Sequence, residues 1–451
     1  MKKYSAREVA LRALYNIDQK RTYARLALDS LLGPYPLDPP DRALATELVY
    51  GVTRRRNTLD WIINQYASRP VTKMTPWIRN ILRMGVYQLM YLDRIPASAA
   101  GNEAVELAKK YGHAGTARFV NGIMREFARR REEIAFPAMD EDLVAHISLK
   151  YSHPPWLVER WLKRLGPDNT MDLCEANNRT PPLVVRANRL KVTRERLKEA
   201  LEAEGVEVEE SPDLPEALVI GGFPSLDGLD SFRQGWFSIQ DESSMMVGRV
   251  VAPRPGEMVI DACSAPGGKA THLAELMGNR GKVIAADVHE HKLPLIRDNC
   301  RRLGVTIVVP LCADGRTLGD LFPGQADRVL VDAPCSGLGV LRRRPDARWA
   351  KSPEVIKELS LLQRELLHGA SGCVRPGGVL VYSTCTTEPE ENEEAREDFL
   401  QHHPEFEPED LRPFLPARFR AEQSASQGYL QLYPHIHGTD GFFIARFSRR
   451  A

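Results

Sequence analysis

The stretch Met258-Val-Ile-Asp-Ala-Cys-Ser-Ala-Pro-Gly-Gly-Lys269 decides the fold of the chain. Its first four residues form a short apolar run ending on an acid, the pattern of a buried strand. Gly267 and Gly268 then open a helix, with Lys269 just inside it. Glycines let a ligand approach the backbone without a Cβ clash, and the helix N-terminus offers free N–H donors. Downstream, the chain repeats this alternation. Strands are expected over 258–261, 283–287, 306–311, 328–332 and 379–384, with helices over 268–277, 294–303 and 353–373. Ser352-Pro353 supplies an N-cap with proline at the first helical position. Pro376-Gly377-Gly378 makes the turn before the fifth strand, and residues 429–433 and 441–447 read as a terminal hairpin joined by a Gly/Asp-containing turn. Alternating βα units imply an α/β domain with a doubly wound, Rossmann-like sheet that binds ligands at the carboxyl ends of its strands.

The glycine turn is not G-x-G-x-x-G, so a dinucleotide pyrophosphate is not its natural guest. Asp287 ends the next strand about 20 residues further on, where a carboxylate can accept from ribose hydroxyls. Asp314 follows the third strand, placed to meet an adenine amino group. An ordered series of strand-end carboxylates points to a nucleoside ligand rather than a plain structural turn.

Upstream, three segments are expected: 1–135, 136–240 and 241–451. The first is helix after helix. Ser5 with Glu8 forms the S-x-x-E capping box, followed by Ala6, Val9, Ala10, Ala13, Leu14 and Ile17 on one helical face. Prolines make 32–40 a loop, and further helices are expected over 41–53, 58–67, 76–91, 98–111 and 115–131. The second segment holds linker helices and a small α+β (RRM/ferredoxin-like) module. There 181–186 is a strand, Thr193 caps a helix closed by Gly205, and 206–209 is an edge strand.

At 451 residues and a net charge of +1, bulk charge gives no argument for a nucleic-acid partner. Arg54-Arg55-Arg56, Arg129-Arg130-Arg131, Arg301-Arg302 and Arg342-Arg343-Arg344 are local basic clusters, each readable as a solvated face or as a phosphate contact. Acid concentrates in Glu388 to Glu394. Residues 1–7 lead into an amphipathic pattern rather than a signal-peptide apolar core, and no run is apolar enough to span a membrane. Seven cysteines without regular spacing imply neither a disulfide framework nor a zinc site, so a reduced cytoplasmic protein without metal is the expectation, with a monomer as the default.

Two of those cysteines stand apart. Cys335 in Val331-Asp-Ala-Pro-Cys-Ser-Gly337 and Cys385 in Tyr382-Ser-Thr-Cys-Thr386 both lie just past short β-branched runs, at the rim of the glycine turn. Cys174, Cys300, Cys312 and Cys373 read instead as ordinary buried cysteines, and Cys263 as a loop residue that matters through its backbone. Carbon 5 of a pyrimidine becomes nucleophilic only after a thiolate adds at carbon 6, and few other chemistries need paired thiols beside a nucleoside pocket.

The motifs Asp261-Ala-Cys-Ser-Ala-Pro-Gly-Gly-Lys269, Asp332-Ala-Pro-Cys-Ser-Gly337 and Ser383-Thr-Cys-Thr386 resemble those of the RNA (cytosine-5) methyltransferases of the Nol/Nop/Sun group. The N-terminal segment resembles the NusB-type RNA-binding domain, through Asp41-Arg-Ala-Leu-Ala-Thr-Glu-Leu-Val-Tyr-Gly-Val52, Leu82-Arg-Met-Gly-Val-Tyr-Gln-Leu89 and Phe119-Val-Asn-Gly-Ile-Met-Arg125. The resemblance implies S-adenosylmethionine bound by Cys263, Ser264, Ala265, Pro266, Gly267, Gly268, Lys269, Asp287, Asp314 and Asp332. Ser264 stands where relatives often carry alanine, a small-for-small change. It also implies Cys385 as nucleophile, Cys335 as an aid to product release, and 16S ribosomal RNA before full subunit assembly as substrate.

The residue pattern alone leaves the two thiols exchangeable, since DNA cytosine methyltransferases use the Pro-Cys thiol. Asp332 is expected to hydrogen-bond the ring at N3 and Lys269 to orient the base or lower a thiol pKa. Arg342 to Arg344, Arg348 and Trp349 are candidates for phosphate and base contacts, against the bland reading of a solvated loop with one anchoring tryptophan. An N-methyltransferase would carry Asn/Asp-Pro-Pro-Tyr/Phe at the fourth strand, and Asp-Ala-Pro-Cys speaks against it. An RNA-binding scaffold with a vestigial domain has no use for two such thiols.

Overall fold

The computed structural model describes residues 4–35, 37–223 and 225–451. Residues 1–3 of the N-terminal stretch and Pro36 of the expected loop lie outside the described residues. The chain forms two compact units, one of residues 1–179 and 341–350, the other of 180–340 and 351–451.

The first unit is helical, built on Ala6–Lys20, Ala24–Leu32, Pro39–Arg54, Arg56–Tyr66, Pro76–Tyr91, Ala97–Tyr111, Ala114–Arg130, Leu143–Lys150 and Pro155–Ala176. Helix Pro76–Tyr91 is buried on most sides, so its apolar residues Ile78, Ile81, Leu82, Met84 and Val86 share one core with Val9, Leu48 and Ile62. Its one deeply buried charge, Arg83, is held by Asp18 at 3.0 Å and Asp60 at 2.6 Å. The sequence reading missed Ala24–Leu32, whose apolar face is only Ala24, Ala27, Leu28 and Leu32. The capping box forms by half. Ser5 accepts from the Glu8 N–H at 3.3 Å, but the Glu8 carboxylate turns to Lys110 at 2.7 Å instead of back to its own cap. Helix Pro155–Ala176 breaks at Gly166, φ 78°, before Pro167.

In the second unit, β1 (Leu183–Ala187), β2 (Glu207–Glu210), β3 (Ala217–Gly221) and β4 (Phe237–Ile239) form a four-stranded sheet in the order β2-β3-β1-β4, with β2 at the edge as its charged alternation requires. Thr193 caps helix Arg194–Ala203 by accepting from the Arg196 N–H.

The main sheet contains β5 (Met258–Asp261), β6 (Lys282–Asp287), β7 (Val308–Cys312), β8 (Ala326–Asp332), β9 (Val374–Thr384), β10 (Phe406–Pro408), β11 (Tyr429–Leu432) and β12 (Phe442–Arg449). Its order is β10-β12-β9-β8-β5-β6-β7, with β11 paired to β12. The strands β9, β8, β5, β6 and β7 are parallel, and β12 runs antiparallel beside β9. Alternate residues face opposite cores: Val259, Val283, Leu330 and Val381 on one side, Ile260, Ile284, Val331 and Tyr382 on the other. The expected terminal hairpin is present as an antiparallel pair. Helix Pro434–His437 lies in the connection between β11 and β12, and β12 sits inside the main sheet, between β10 and β9. Ser352 takes the extended N-cap conformation without bonding the first turn.

Candidate active site

Strand order decides which loops meet. Along the carboxyl rim, β9, β8, β5 and β6 bring the Cys385 loop, the Asp332–Cys335 loop, the glycine turn and Asp287 side by side. Residues distant in sequence therefore line one face of the sheet edge.

The glycine turn is held from within. The Ser264 N–H donates to Ala286 O at 2.8 Å and the Gly267 N–H to Ser264 O at 2.7 Å. Gly267 has φ 95°, a conformation that only glycine adopts without strain, and a Cβ there would crowd Ile296 at 3.2 Å. A Cβ at Gly268 would meet nothing within 4 Å, so the space over the helix start is open. Both carboxylate oxygens of Asp261 and the Ser264 hydroxyl are buried without a hydrogen-bond partner among the described residues. Buried polar atoms in that state are costly unless a ligand supplies the missing partner. Burial first, and the Asp332 charge second, push the Asp261 carboxyl up to about 7. Asp287 accepts from the His289 N–H at 2.9 Å and the Ala265 N–H at 3.3 Å, so it braces the turn as well as facing its rim. Asp314 is turned toward Arg316, whose guanidinium reaches it at 2.7 Å. Burial and the Asp261 charge push the Cys263 thiol up, which keeps it protonated.

Next to the turn, Lys269 Nζ donates to Asp332 Oδ2 at 2.8 Å and Ser383 Oγ donates to Asp332 Oδ1 at 2.8 Å. Burial opposes the Lys269 charge, yet the Asp332 carboxylate outweighs it and raises the lysine pKa. The expectation that Asp332 bonds N3 of a base needs refinement. Its oxygens already accept from two donors, Lys269 and Ser383.

The two thiols meet. Cys335 Sγ lies 3.2 Å from Cys385 Sγ and accepts the Cys385 N–H at 3.3 Å. Gly339 closes the same junction: its N–H donates to Cys385 O at 3.1 Å, and a Cβ would sit 2.0 Å from Gly441 O. Of the remaining cysteines, Cys174, Cys300 and Cys373 are buried, but Cys312 is exposed because it ends the edge strand β7.

Of the expected phosphate-binding run, Arg342, Arg348 and Trp349 are corrected, while Arg344 is exposed and Arg343 half-buried. Arg348 is fully buried in the first unit, donating to Ser152 O at 3.0 Å, Asn178 Oδ1 at 2.9 Å and Asn177 O at 3.1 Å. Trp349 Nε1 donates to Thr53 O at 2.7 Å, and Arg342 is buried. Arg129 and Arg130 are paired with Glu126 and Glu133, and Arg54 is buried.

Two contributors escaped the sequence reading: Ser383, inside a quoted motif but given no role, and Glu391, hidden in the acidic run. Glu388 and Glu391 are fully buried, not solvated. The available signal was apolar and polar residues alternating with acids just past a strand end.

Residues 4–129 match the NusB family, 153–226 the ferredoxin-like domain of RsmF/B-like methyltransferases, and 249–448 the family described as 16S rRNA methyltransferase RsmB/F. A Bacillus subtilis protein, probable ribosomal RNA small subunit methyltransferase B, is 42% identical over 100% of both chains. The crystal structure of PH0851 superposes with a TM-score of 0.83 at 31% identity, covering 99% of this chain and 100% of that one. NSun6 from Pyrococcus horikoshii, solved with SFG, gives a TM-score of 0.59 at 28% identity, covering 66% of this chain and 98% of that one. On full-length identity and matching domain order, the chain belongs to the family of ribosomal RNA small subunit methyltransferase B, among the RsmB/F methyltransferases.

Proposed function

We propose that this protein methylates carbon 5 of a cytosine in 16S ribosomal RNA, with S-adenosylmethionine as donor, Cys385 as nucleophile and Cys335 assisting release. The observation that carries the reading is the 3.2 Å contact between the two sulfurs beside the Lys269–Asp332 pair. The names of the relatives support ribosomal RNA as substrate, and SFG in NSun6, an analogue of S-adenosylmethionine, supports the donor.

The glycine turn fits that donor. The unpartnered Asp261 and Ser264 atoms, the open space over Gly268 and the rim carboxylate Asp287 suit a polar nucleoside carrying an amino-acid tail. Bound there, S-adenosylmethionine supplies a sulfonium methyl group that activated carbon 5 accepts. Cys263 to Lys269, Asp287, Asp314 and Asp332 are the residues proposed to hold it.

The Lys269 ammonium lies close enough for a Cys385 thiolate to raise its pKa, and by reciprocity it favours that thiolate. The thiolate adds to carbon 6, forming an S–C bond and moving the ring electrons toward carbon 5 and N3. Lys269, through Asp332, lends a proton toward N3 as charge builds there and takes it back when the S–C bond breaks and the ring regains its aromaticity. For release, Cys335 gives its S–H proton to the departing Cys385 sulfur and recovers one from carbon 5 as the S–C bond breaks. A cytosine has to leave its stack to reach both sulfurs, so a loop or junction of RNA is the expected target.

Incubating the chain with ribosomal RNA and labelled S-adenosylmethionine tests this. Label is expected at carbon 5 of cytosine, lost in Cys385→Ala, with a covalent RNA adduct accumulating in Cys335→Ala. An adduct in Cys385→Ala and none in Cys335→Ala would exchange the two roles, and no label in any RNA would sink the reading.

A further inference from the structure

We infer that Glu391 is a positioning residue that sets the spacing of the two thiols by tying the loop after β8 to the loop after β9. This deepens the proposed cytosine-5 reading and rests on it.

Glu391 is fully buried, yet among the described residues no lysine or arginine is a hydrogen-bond partner of its carboxylate. Its carboxylate faces hydrogen-bond donors instead. Oε1 accepts from the Ser336 N–H at 2.7 Å and from Gln363 Nε2 at 3.0 Å, while Oε2 accepts from the Ser336 hydroxyl. Ser336 is the residue after Cys335, and its oxygen also lies 2.7 Å from Thr386 Oγ1, on the residue after Cys385. One buried carboxylate therefore fixes the neighbour of each thiol. Gln363 Nε2 donates in addition to Pro334 O at 2.9 Å, on the other side of Cys335.

Asn392 repeats the arrangement one residue on. It accepts from Thr384 Oγ1 at 2.6 Å and donates to Thr386 O at 3.1 Å, bracketing Cys385 from both sides. The backbone of Glu391 is pinned too, its carbonyl accepting from the Tyr382 hydroxyl. Burying a carboxylate costs desolvation that these donors offset, and an apolar residue in its place would leave the Ser336 N–H without its acceptor. The consequence is geometric: by taking the Ser336 hydroxyl proton, Glu391 turns that oxygen into the acceptor for the Thr386 hydroxyl, so the direct Ser336–Thr386 contact depends on it. Burial raises the Glu391 pKa while its Ser336 and Gln363 hydrogen bonds lower it, and its charge helps keep Cys335 a thiol.

The test uses the full chain with Glu391→Gln, which keeps the shape but turns one acceptor into a donor facing donors. In a glutathione redox buffer, Cys335 and Cys385 are oxidised to one disulfide as glutathione disulfide is reduced to two thiols, and the equilibrium reports how well the sulfurs are held together. The variant is expected to lower that equilibrium about tenfold, and to lower kcat on ribosomal RNA about a hundredfold with KM for S-adenosylmethionine unchanged. An unchanged disulfide equilibrium, or a raised KM with kcat intact, overturns the inference. Should the wild-type chain methylate no cytosine, the functional reading fails while the disulfide arm still decides the role of Glu391. Ser336→Ala, which removes only the hydroxyl, gives the same readings in a milder variant if Glu391→Gln does not fold.

Discussion

The backbone N–H of Cys385 points at the sulfur of Cys335, 3.3 Å away, and the two sulfurs are 3.2 Å apart. Cys335 is thus both an acceptor from its partner's backbone and a neighbour of its partner's thiol. The hydrogen bond with the Cys385 thiol, burial, and the charges of Cys385 and Glu391 all raise the Cys335 pKa. The Cys385 N–H works in the opposite sense and does not offset them. Cys335 is accordingly a protonated thiol across the neutral range.

Alkylation follows from that state. The thiolate is the reactive form, so Cys335 is expected to react with iodoacetamide at pH 8 at least about tenfold more slowly than exposed Cys312. Peptide mass spectrometry over a time course reads both rates. Equal rates would remove the basis for a neutral Cys335.

The Asp261 carboxyl makes stability pH-dependent. Its folded pKa is near 7 against 3.8 for the ordinary group. Between those values the unfolded chain has released the proton and the folded chain still holds it, so stability falls as pH rises from about 4 to about 7 and then levels off. Asp261→Asn removes this contribution. Without ligand, the Tm of the variant relative to wild type is expected to rise between pH 5 and pH 7. A constant difference across that window would contradict the assignment.

Two glycines at the rim should respond in opposite ways. Gly268→Ala places a methyl in open space, so Tm holds while KM for S-adenosylmethionine rises. Gly339→Ala drives a Cβ against Gly441 O at 2.0 Å and Cys385 O at 2.9 Å, both backbone atoms that yield poorly. Overpacking of this kind costs about 1–3 kcal/mol, and kcat should fall with it because Cys335 shares the displaced loop. Thermal melts and steady-state kinetics separate the two outcomes.

Arg348 is a stability residue. Its guanidinium serves the oxygens of Ser152, Asn177 and Asn178 in a buried setting. Each buried group left unsatisfied costs about 1–3 kcal/mol, so Arg348→Ala is expected to destabilise the chain by about 3 kcal/mol or more. Urea unfolding measures it. A loss below about 0.5 kcal/mol, the range of ordinary surface substitutions, would show that water replaces the arginine.

Much of the architecture was legible because it is local. Strand 258–261, the turn that follows and the helices after it announce themselves through runs of neighbouring residues, and the structure places them within a few positions. Short elements were less visible: Ala24–Leu32 offers too few apolar positions, and the interior place of β12 depends on partners that no nearby residue indicates. Arg342 and Arg348 were illegible for a related reason. A run such as 342–348 reads the same in sequence whether its guanidinium groups meet phosphate or buried carbonyl oxygens.

By itself, the order of residues determined that this chain has a helical segment, a small α+β module and a βα sheet, with a glycine turn and two rim cysteines. Those features follow from periodicity and backbone preference, which act over a few residues. Only the tertiary structure decided that sulfurs 50 residues apart touch, that Asp332 is shared between Lys269 and Ser383, and that Glu391 is buried between the loops. Strand order and desolvation settle such relationships, and both are properties of the packed sheet rather than of any stretch of chain.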